Sequence, residues 1–429
     1  MKLGRAFLLG VGSAAVLAGA AGSAHAGAFG LRSQSTIAIG QAYAGAAAGA
    51  AGVSSAFWNP ATITMHPGFQ SEYNFTFVDA YARISPTPPT PGALLALGGS
   101  GDIAQNAFVP ATYSSRQLTD RIWIGVASAA PFGSVTKPNT PWAGQFYSRS
   151  SRIVSLSFAP LVGIKVNDWL SIGGGPIIQY FKVRLNSAGP AGSNVMLEGD
   201  DWGGGGTVGV TVTPAPGTVL GVGYRSTIDH ALQGTFRTAA AVLPIRVKVS
   251  TPDQLTFGVS QAITPDFRLN AAFEWMNWSR LRSPAIRLEG PGVTIGQFPL
   301  NYKDGYLVSV GGEYQLNPQW ALRAGVGYEW SPIDTSNRST RLPDTDRVHA
   351  SVGASYAWND KLTINASYAH YFAVGNRRIA IAPGNPLFNA AAGPFFADTQ
   401  ADVNLFSLSA RYRWDDPKVS EPAPIIRKY

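Results

Sequence analysis

Along much of this chain, apolar and polar side chains alternate every second residue, the period of an extended strand whose two faces meet different surroundings. From Ala321 to Trp330, Leu322, Ala324, Val326, Tyr328 and Trp330 share one face, while Arg323, Gly325, Gly327 and Glu329 share the other. The same rhythm sets Val348, Ala350, Val352, Ala354, Tyr356 and Trp358 against His349, Ser351, Gly353 and Ser355. It returns from Lys361 to Tyr368, and is clearest at Phe406, Leu408, Ala410, Tyr412 and Trp414 against Ser407, Ser409, Arg411 and Arg413. A charged face is costly in a dry core and cheap against water, so these strands are expected to divide lipid from a wet lumen. Aromatics at their ends, such as Tyr412 and Trp414, suit a membrane interface.

Weaker alternation predicts strands at Phe69–Arg83, Phe108–Arg116, Arg121–Ala129, Arg152–Lys165, Leu170–Leu185, Gly203–Val212, Thr218–Thr227, Val247–Ala262, Phe267–Trp278 and Gly305–Tyr314. With the four clear ones they make about fourteen, an even number as bacterial barrels require. Short turns, such as Asn167-Asp168, Pro265-Asp266 and Asn359-Asp360, alternate with long Pro/Gly-rich connections around 84–106, 131–150, 186–202, 229–246, 280–303, 331–346 and 375–401. That alternation fits periplasmic turns and extracellular loops. The fold class expected is all-β: a transmembrane antiparallel β-barrel spanning 68–414.

Three segments fall outside the wall. Residues 1–26 read as a signal peptide: Lys2 and Arg5 precede an apolar run, and Ala24-His25-Ala26 fits a cleavage site. Residues 27–67, rich in Ala and Gly and too apolar for a solvated tail, are expected as an N-terminal hatch plugging the lumen. Residues 415–429, with Pro417, Pro422 and Pro424, read as a periplasmic tail.

Composition narrows the class further. Charged residues are 14% of the 429, and no run of apolar residues after Ala26 is long enough for a helical span. Cysteine is absent, which excludes disulfides and thiolate chemistry. The net charge of +8 falls to +6 without Lys2 and Arg5; it is scattered, so contact with anionic outer-membrane lipid and lipopolysaccharide is expected and nucleic acid is not. The histidines, including His66, His230 and His370, show no metal-ligand spacing, and no nucleophile motif appears, so neither cofactor nor enzyme activity is expected.

Gly40-Gln41-Ala42-Tyr43-Ala44-Gly45, followed by Asn59-Pro60-Ala61, resembles the hatch of the FadL-type long-chain fatty-acid transporters of the outer membrane. Ser331-Pro332, Asn337-Arg338-Ser339 and Leu342-Pro343-Asp344-Thr345-Asp346-Arg347 resemble a loop and strand entry of the same family, as do Tyr224-Arg225-Ser226, Trp278-Ser279 and Pro131-Phe132-Gly133. The resemblance implies a fourteen-stranded barrel, passive uptake of an amphipathic substrate, and a lateral exit at a kinked third strand, here Arg121–Ala129. It also implies assembly by the barrel-assembly machinery. Asn59, Pro60, Ala61, Tyr43 and Gly45 become candidate hatch or gate residues. Pro343, Asp344, Asp346 and Arg347 read better as pins of an outer loop.

A chain-like ligand needs apolar walls and a carboxylate needs donors. Candidate walls are Val195, Met196, Leu197, Leu232, Phe236, Val242, Leu243 and Phe298. The stretches where the family carries basic residues read Asn186-Ser187-Ala188-Gly189 and Gln297-Phe298-Pro299-Leu300-Asn301-Tyr302-Lys303; Lys182, Arg184 and Lys303 are the nearby substitutes. That departure leaves open an uncharged hydrocarbon channel beside a fatty-acid transporter. An open diffusion porin and an outer-membrane phospholipase, the latter needing a Ser beside His such as Ser351 and His349, are the readings from other classes.

Overall fold

The computed structural model describes residues 27–415; the signal-peptide reading and residues 416–429 of the tail lie outside them. The wall is fourteen strands, each antiparallel to its neighbours in sequence order. They are β1 Phe69–Pro86, β2 Ala107–Gln117, β3 Ile122–Ala129, β4 Ser150–Lys165, β5 Leu170–Ala188, β6 Asn194–Ala215 and β7 Thr218–Arg225. The second half is β8 Gln254–Ala262, β9 Phe267–Met276, β10 Gly305–Gln315, β11 Trp320–Trp330, β12 Arg347–Ala357, β13 Leu362–Ala373 and β14 Phe395–Arg413. β14 pairs back on β1 from Gln70↔Arg413 to Pro86↔Ala397, which closes the barrel and leaves no edge. No described helix is long and apolar enough to cross a membrane.

The two-residue rhythm sorts the faces. Leu322, Val326, Val352 and Leu408 point outward with 42%, 60%, 55% and 60% of their surface exposed, a greasy belt for lipid. On the opposite face of β11, Arg323 bonds Glu313 across the lumen wall and Glu329 is buried. Short turns join strands at one end, and the first and last wall strands meet there, where the Phe69 amide donates to Asp415.

At the other end several strands run on beyond the expected limits. β6 starts at Asn194 rather than Gly203, and β14 at Phe395 rather than Phe406. Their outer parts pair with strands inside the long connections: Asp229–Arg237 on β6 and Arg378–Ile381 on β14. The 229–246 connection is itself a hairpin, Asp229–Arg237 with Val242–Ser250, and the expected Val247–Ala262 strand is two elements parted by Thr251-Pro252-Asp253.

Residues 27–67 fill the lumen with one short helix, Thr36–Ile39, and three 3-10 turns, Ala46–Ala48, Gly52–Phe57 and Pro60–Met65. Ser35 caps the helix, its Oγ accepting the Ala38 amide. The wall receives this backbone on glycines. A Cβ on Gly221 would lie 1.8 Å from the Ala47 carbonyl oxygen, and one on Gly223 1.8 Å from that of Trp58. Gly173 and Gly325 meet the hatch at Ala61 and Gln41 in the same way.

Candidate functional site

On the long-loop side, the outer extension of the wall encloses a narrow apolar cavity of about 110 Å³. Alternation builds it: Phe181 and Val183 of β5, Leu197 of β6, Leu232, Ile245 and Val247 of the hairpin all point in. Phe298, Leu300 and Tyr302 close it from the 280–303 connection, and Phe29 of the hatch forms part of its lining. Phe29 is held by ring contacts with Trp278 at 4.7 Å and Phe132 at 6.0 Å.

Of the candidate wall residues, Leu197, Leu232 and Phe298 line this cavity, and Phe236 packs against the same cluster. Val195 and Leu243 are half-buried on the inward faces of their strands; Met196 and Val242 alternate to the outward face, Val242 with 57% exposed. The same alternation turns Lys182 and Arg184 outward, where both pair with Glu198, at 2.8 and 3.0 Å. Lys303 is exposed and pairs with Asp334.

Among the described residues, one cation lines the cavity: Arg341, which the sequence reasoning passed over although it sits inside the Asn-Arg-Ser…Pro-Asp loop motif. Its Nη1 donates to the Ser150 carbonyl (3.0 Å), Ser151 Oγ (3.1 Å) and the Asn186 carbonyl (3.0 Å). No described acid pairs with it, and enclosure without an acid brings it down to about 10, still cationic at neutral pH. Ser134, Ser151 and Ser339 line the cavity too, and no described group bonds the Ser134 hydroxyl.

Downstream in that loop, Asp344 accepts from the Ala28 amide (2.8 Å) and Ser331 Oγ (2.6 Å) and pairs with Arg347. Asp346 accepts from the Ser331 amide at 2.8 Å, and Pro343 is buried. Asp344 therefore ties the outer loop to the start of the hatch, and Asp346 and Arg347 brace that loop from within.

Deeper in the lumen, Arg32 pairs with Glu274 and, at 2.9 Å, with Glu329, which His349 also reaches at 3.0 Å. Tyr43 bonds Tyr371 at 2.5 Å, and Gly45, at φ 71°, donates to the Ala271 carbonyl of β9. Asn59 Nδ2 donates to the Ala47 carbonyl (2.7 Å) and to the Val210 carbonyl of β6 (2.9 Å), while its Oδ1 accepts the Ala61 amide. Asn59, Pro60 and Ala61 lie over Gly173 and Gly209, on β5 and β6, while Ile63 of the same turn lies against Gly125 of the third strand. His349 and Ser351 are buried on the luminal side.

The third strand carries a seam. The β2–β3 ladder runs from Gln117↔Trp123 to Thr112↔Ser128 and stops, while β2 continues to Ala107 on β1 alone. Beyond Ala129 the chain turns to the hatch instead: the Leu31 amide donates to the Pro131 carbonyl (2.8 Å), the Gly133 amide to the Phe29 carbonyl (2.9 Å), and Gly30 bridges Phe132. Phe29–Leu31 thus stand between the apolar cavity and the gap in the wall. On the short-turn side of the hatch lies a polar cavity of about 520 Å³, lined by Arg268, Glu313, Arg323, Asn365 and Arg411.

Comparison with known proteins places this arrangement. Residues 17–414 match the family described as Outer membrane protein transport protein (OMPP1/FadL/TodX). The chain is 26% identical to the 47 kDa outer membrane protein of Pasteurella multocida strain Pm70, over 94% of this chain and 97% of that one. It is 23% identical to the long-chain fatty acid transport protein of Escherichia coli K12, over 80% and 87%. The crystal structure of a Pseudomonas aeruginosa FadL homologue superposes with a TM-score of 0.82 at 22% identity, over 90% of this chain and all of that one. That of the P. putida toluene transporter TodX gives 0.67 at 17%, with the same coverage.

Proposed function

The chain belongs to the outer membrane protein transport protein family (OMPP1/FadL/TodX), and we propose that it takes up long-chain fatty acids, part of the alkyl tail seated in the outer apolar cavity and the carboxylate on Arg341. Its relatives are outer-membrane transporters and channels rather than enzymes. The observation that carries the fatty-acid reading is Arg341: an enclosed cation without an acid partner among the described residues, with the unbonded Ser134 hydroxyl in the same lining, at the edge of a space otherwise walled largely by carbon. An uncharged hydrocarbon has no use for such a donor set; a carboxylate takes the guanidinium fork with charge-assisted hydrogen bonds.

Release follows from the seam. Displacing Phe29–Leu31 joins the cavity to the gap between β2 and β3, so the substrate leaves sideways into the membrane by diffusion, without energy coupling in the barrel. What supports this is the position of one short hatch segment, which lines the cavity on one side and blocks the gap on the other.

The test is a binding comparison on purified protein in dodecyl maltoside between palmitate and hexadecanol, which share a tail and differ in charge. Wild type binds palmitate the tighter. Arg341→Gln loses about 1.5–3 kcal/mol of palmitate affinity, roughly ten- to a hundredfold, and leaves hexadecanol nearly unchanged. Equal loss for both ligands, or none, removes Arg341 from head-group binding. Tighter binding of toluene than of palmitate by wild type favours the hydrocarbon channel instead.

A further inference from the structure

The outer extension of the wall has an outward face, and its charges can be followed across one continuous row of paired strands. Lys182 of β5 stands opposite Asp200 of β6, Asp200 opposite Gln233, Gln233 opposite Arg246, and Arg246 opposite Arg287 of the short strand Ala285–Leu288. At the start of the row opposite charges face each other, the arrangement that stabilises a sheet; at its end two guanidinium groups do, which destabilises one. Lys248 lies two residues along on the same face as Arg246, and Arg280 and Arg282 arrive from the turn after β9 to complete a cleft.

Acids are scarce there. Glu289 reaches Arg246 at 3.3 Å with both side chains nearly half exposed, and Asp253 takes Arg280 at 2.5 Å. Lys248, Arg282 and Arg287 have no acid partner among the described residues. The cleft is distinct in chemistry from the apolar cavity, although Leu281 and Pro284 separate the two and line both.

The height of the row above the membrane can be read from its neighbours. One step below on the same face, Tyr180 and Trp202 pair at 5.2 Å, with Trp202 64% exposed, and Ile178 below them is 49% exposed. An aromatic pair above an apolar surface marks the membrane interface. The Lys182 end of the row therefore stands just outside the belt, on the barrel's exterior at the level of lipid head groups, and the row runs on outside the wall from there to Arg246 and Arg287.

We propose that this cleft binds the phosphorylated head group of an outer-leaflet lipid, the phosphomonoester bridging Arg246 and Arg287 with Lys248 beside it. A phosphomonoester carries close to two negative charges and three acceptor oxygens, which match two guanidinium forks and an ammonium better than a single carboxylate does. Its binding converts the one repulsive pair of the row into a bridged one. The site is independent of the transport reading, since it faces away from the lumen.

Purified full-length protein in dodecyl maltoside is probed by native mass spectrometry with lipid A bearing its phosphates, with the same lipid A after phosphatase treatment, and with inorganic phosphate. Wild type prefers the phosphorylated lipid by about tenfold or more. Arg287→Glu abolishes that preference without lowering thermal stability, because a carboxylate opposite Arg246 replaces repulsion with attraction; palmitate binding is kept. Equal binding of the two lipid A forms, or an unchanged preference in Arg287→Glu, overturns the proposal. Inorganic phosphate bound as tightly as lipid A assigns the cleft to a free anion and overturns the lipid assignment.

Discussion

The hatch separates two cavities of opposite character. The outer one is narrow, about 110 Å³, and walled by side chains such as Phe181, Leu232 and Val247 with a single cation at its edge; the inner one, about 520 Å³, is lined by Arg268, Glu313, Arg323 and Arg411. An alkyl chain is at home in the first and a stranger in the second. Each methylene returned to water costs about 0.8 kcal/mol, so a chain of about fifteen methylenes meets a barrier on the order of 10 kcal/mol on the straight path. The sideways path through the β2–β3 gap exchanges one apolar environment for another. The difference between the cavities thus argues for direction of travel as well as for substrate, and the hatch must keep them apart for it to hold.

The largest effect is expected where the hatch is held by charge. Arg32→Ala leaves Glu274 and Glu329 buried in the lumen without their shared cation. Removing one partner of a buried pair costs about 3–5 kcal/mol, more than any single hydrogen bond of the hatch contributes. The hatch should then leave its seat and the wet cavity should reach the outer side, so planar bilayers that are silent with wild type should conduct with the variant. Silence from a folded Arg32→Ala barrel would show that the glycine-lined seat alone keeps the two cavities apart.

A smaller but reversible effect is expected at the seam. The chain has no cysteine, so Gly30→Cys with Phe132→Cys can form only one disulfide. The two residues are antiparallel bridge partners, at a separation that suits a cystine. Oxidised cells should import labelled oleate about tenfold more slowly, or slower still, than the same cells after reduction, because the covalent tie to residue 132 prevents displacement of Phe29–Leu31 until it is reduced. Equal rates in both states would mean that this segment stays in place during uptake, and the lateral path would have to be given up.

How much of this was legible in the sequence depends on whether a feature is local. The outward and luminal faces of β11, β12 and β14 follow from a two-residue period, and Leu322, Val326 and Leu408 stand as that period requires. Composition places an apolar, Gly/Ala-rich N-terminal stretch in the lumen, and its helical turns lie against glycines on the inner face of the wall. The hairpin at 229–250 was missed because both flanking strands alternate. The signal lay in the phase: odd positions such as Ile245 and Val247 point in before Thr251-Pro252-Asp253, and even positions such as Gln254 and Thr256 after it. Arg341 and the Arg246–Arg287 pair are a different case. Arg341 stands inside a motif that reads as a structural loop, and nothing local marks the Arg246–Arg287 pair; each becomes informative only through strands and loops tens to hundreds of residues away, brought alongside by closure of the barrel.

The smallest effect is expected at Asn59, and it sharpens the comparison by asking whether the hatch moves as one body. Asn59 ties the hatch to the Val210 carbonyl of β6, three strands round the wall from the seam, and caps the turn at Ala61. Asn59→Ala removes these bonds at a cost of about 1–2 kcal/mol. Arg32, Tyr43 and the glycine contacts remain, so that loss loosens only the part of the hatch facing the polar cavity. If Phe29–Leu31 moves alone, oleate uptake should stay within about twofold of wild type while leak of small ions rises a few-fold, a shift of the size that 1 kcal/mol produces in a local equilibrium. Uptake that rises in step with leak would mean that the segment at the seam and the turn over β6 travel together, and that the two cavities open to each other whenever a substrate passes.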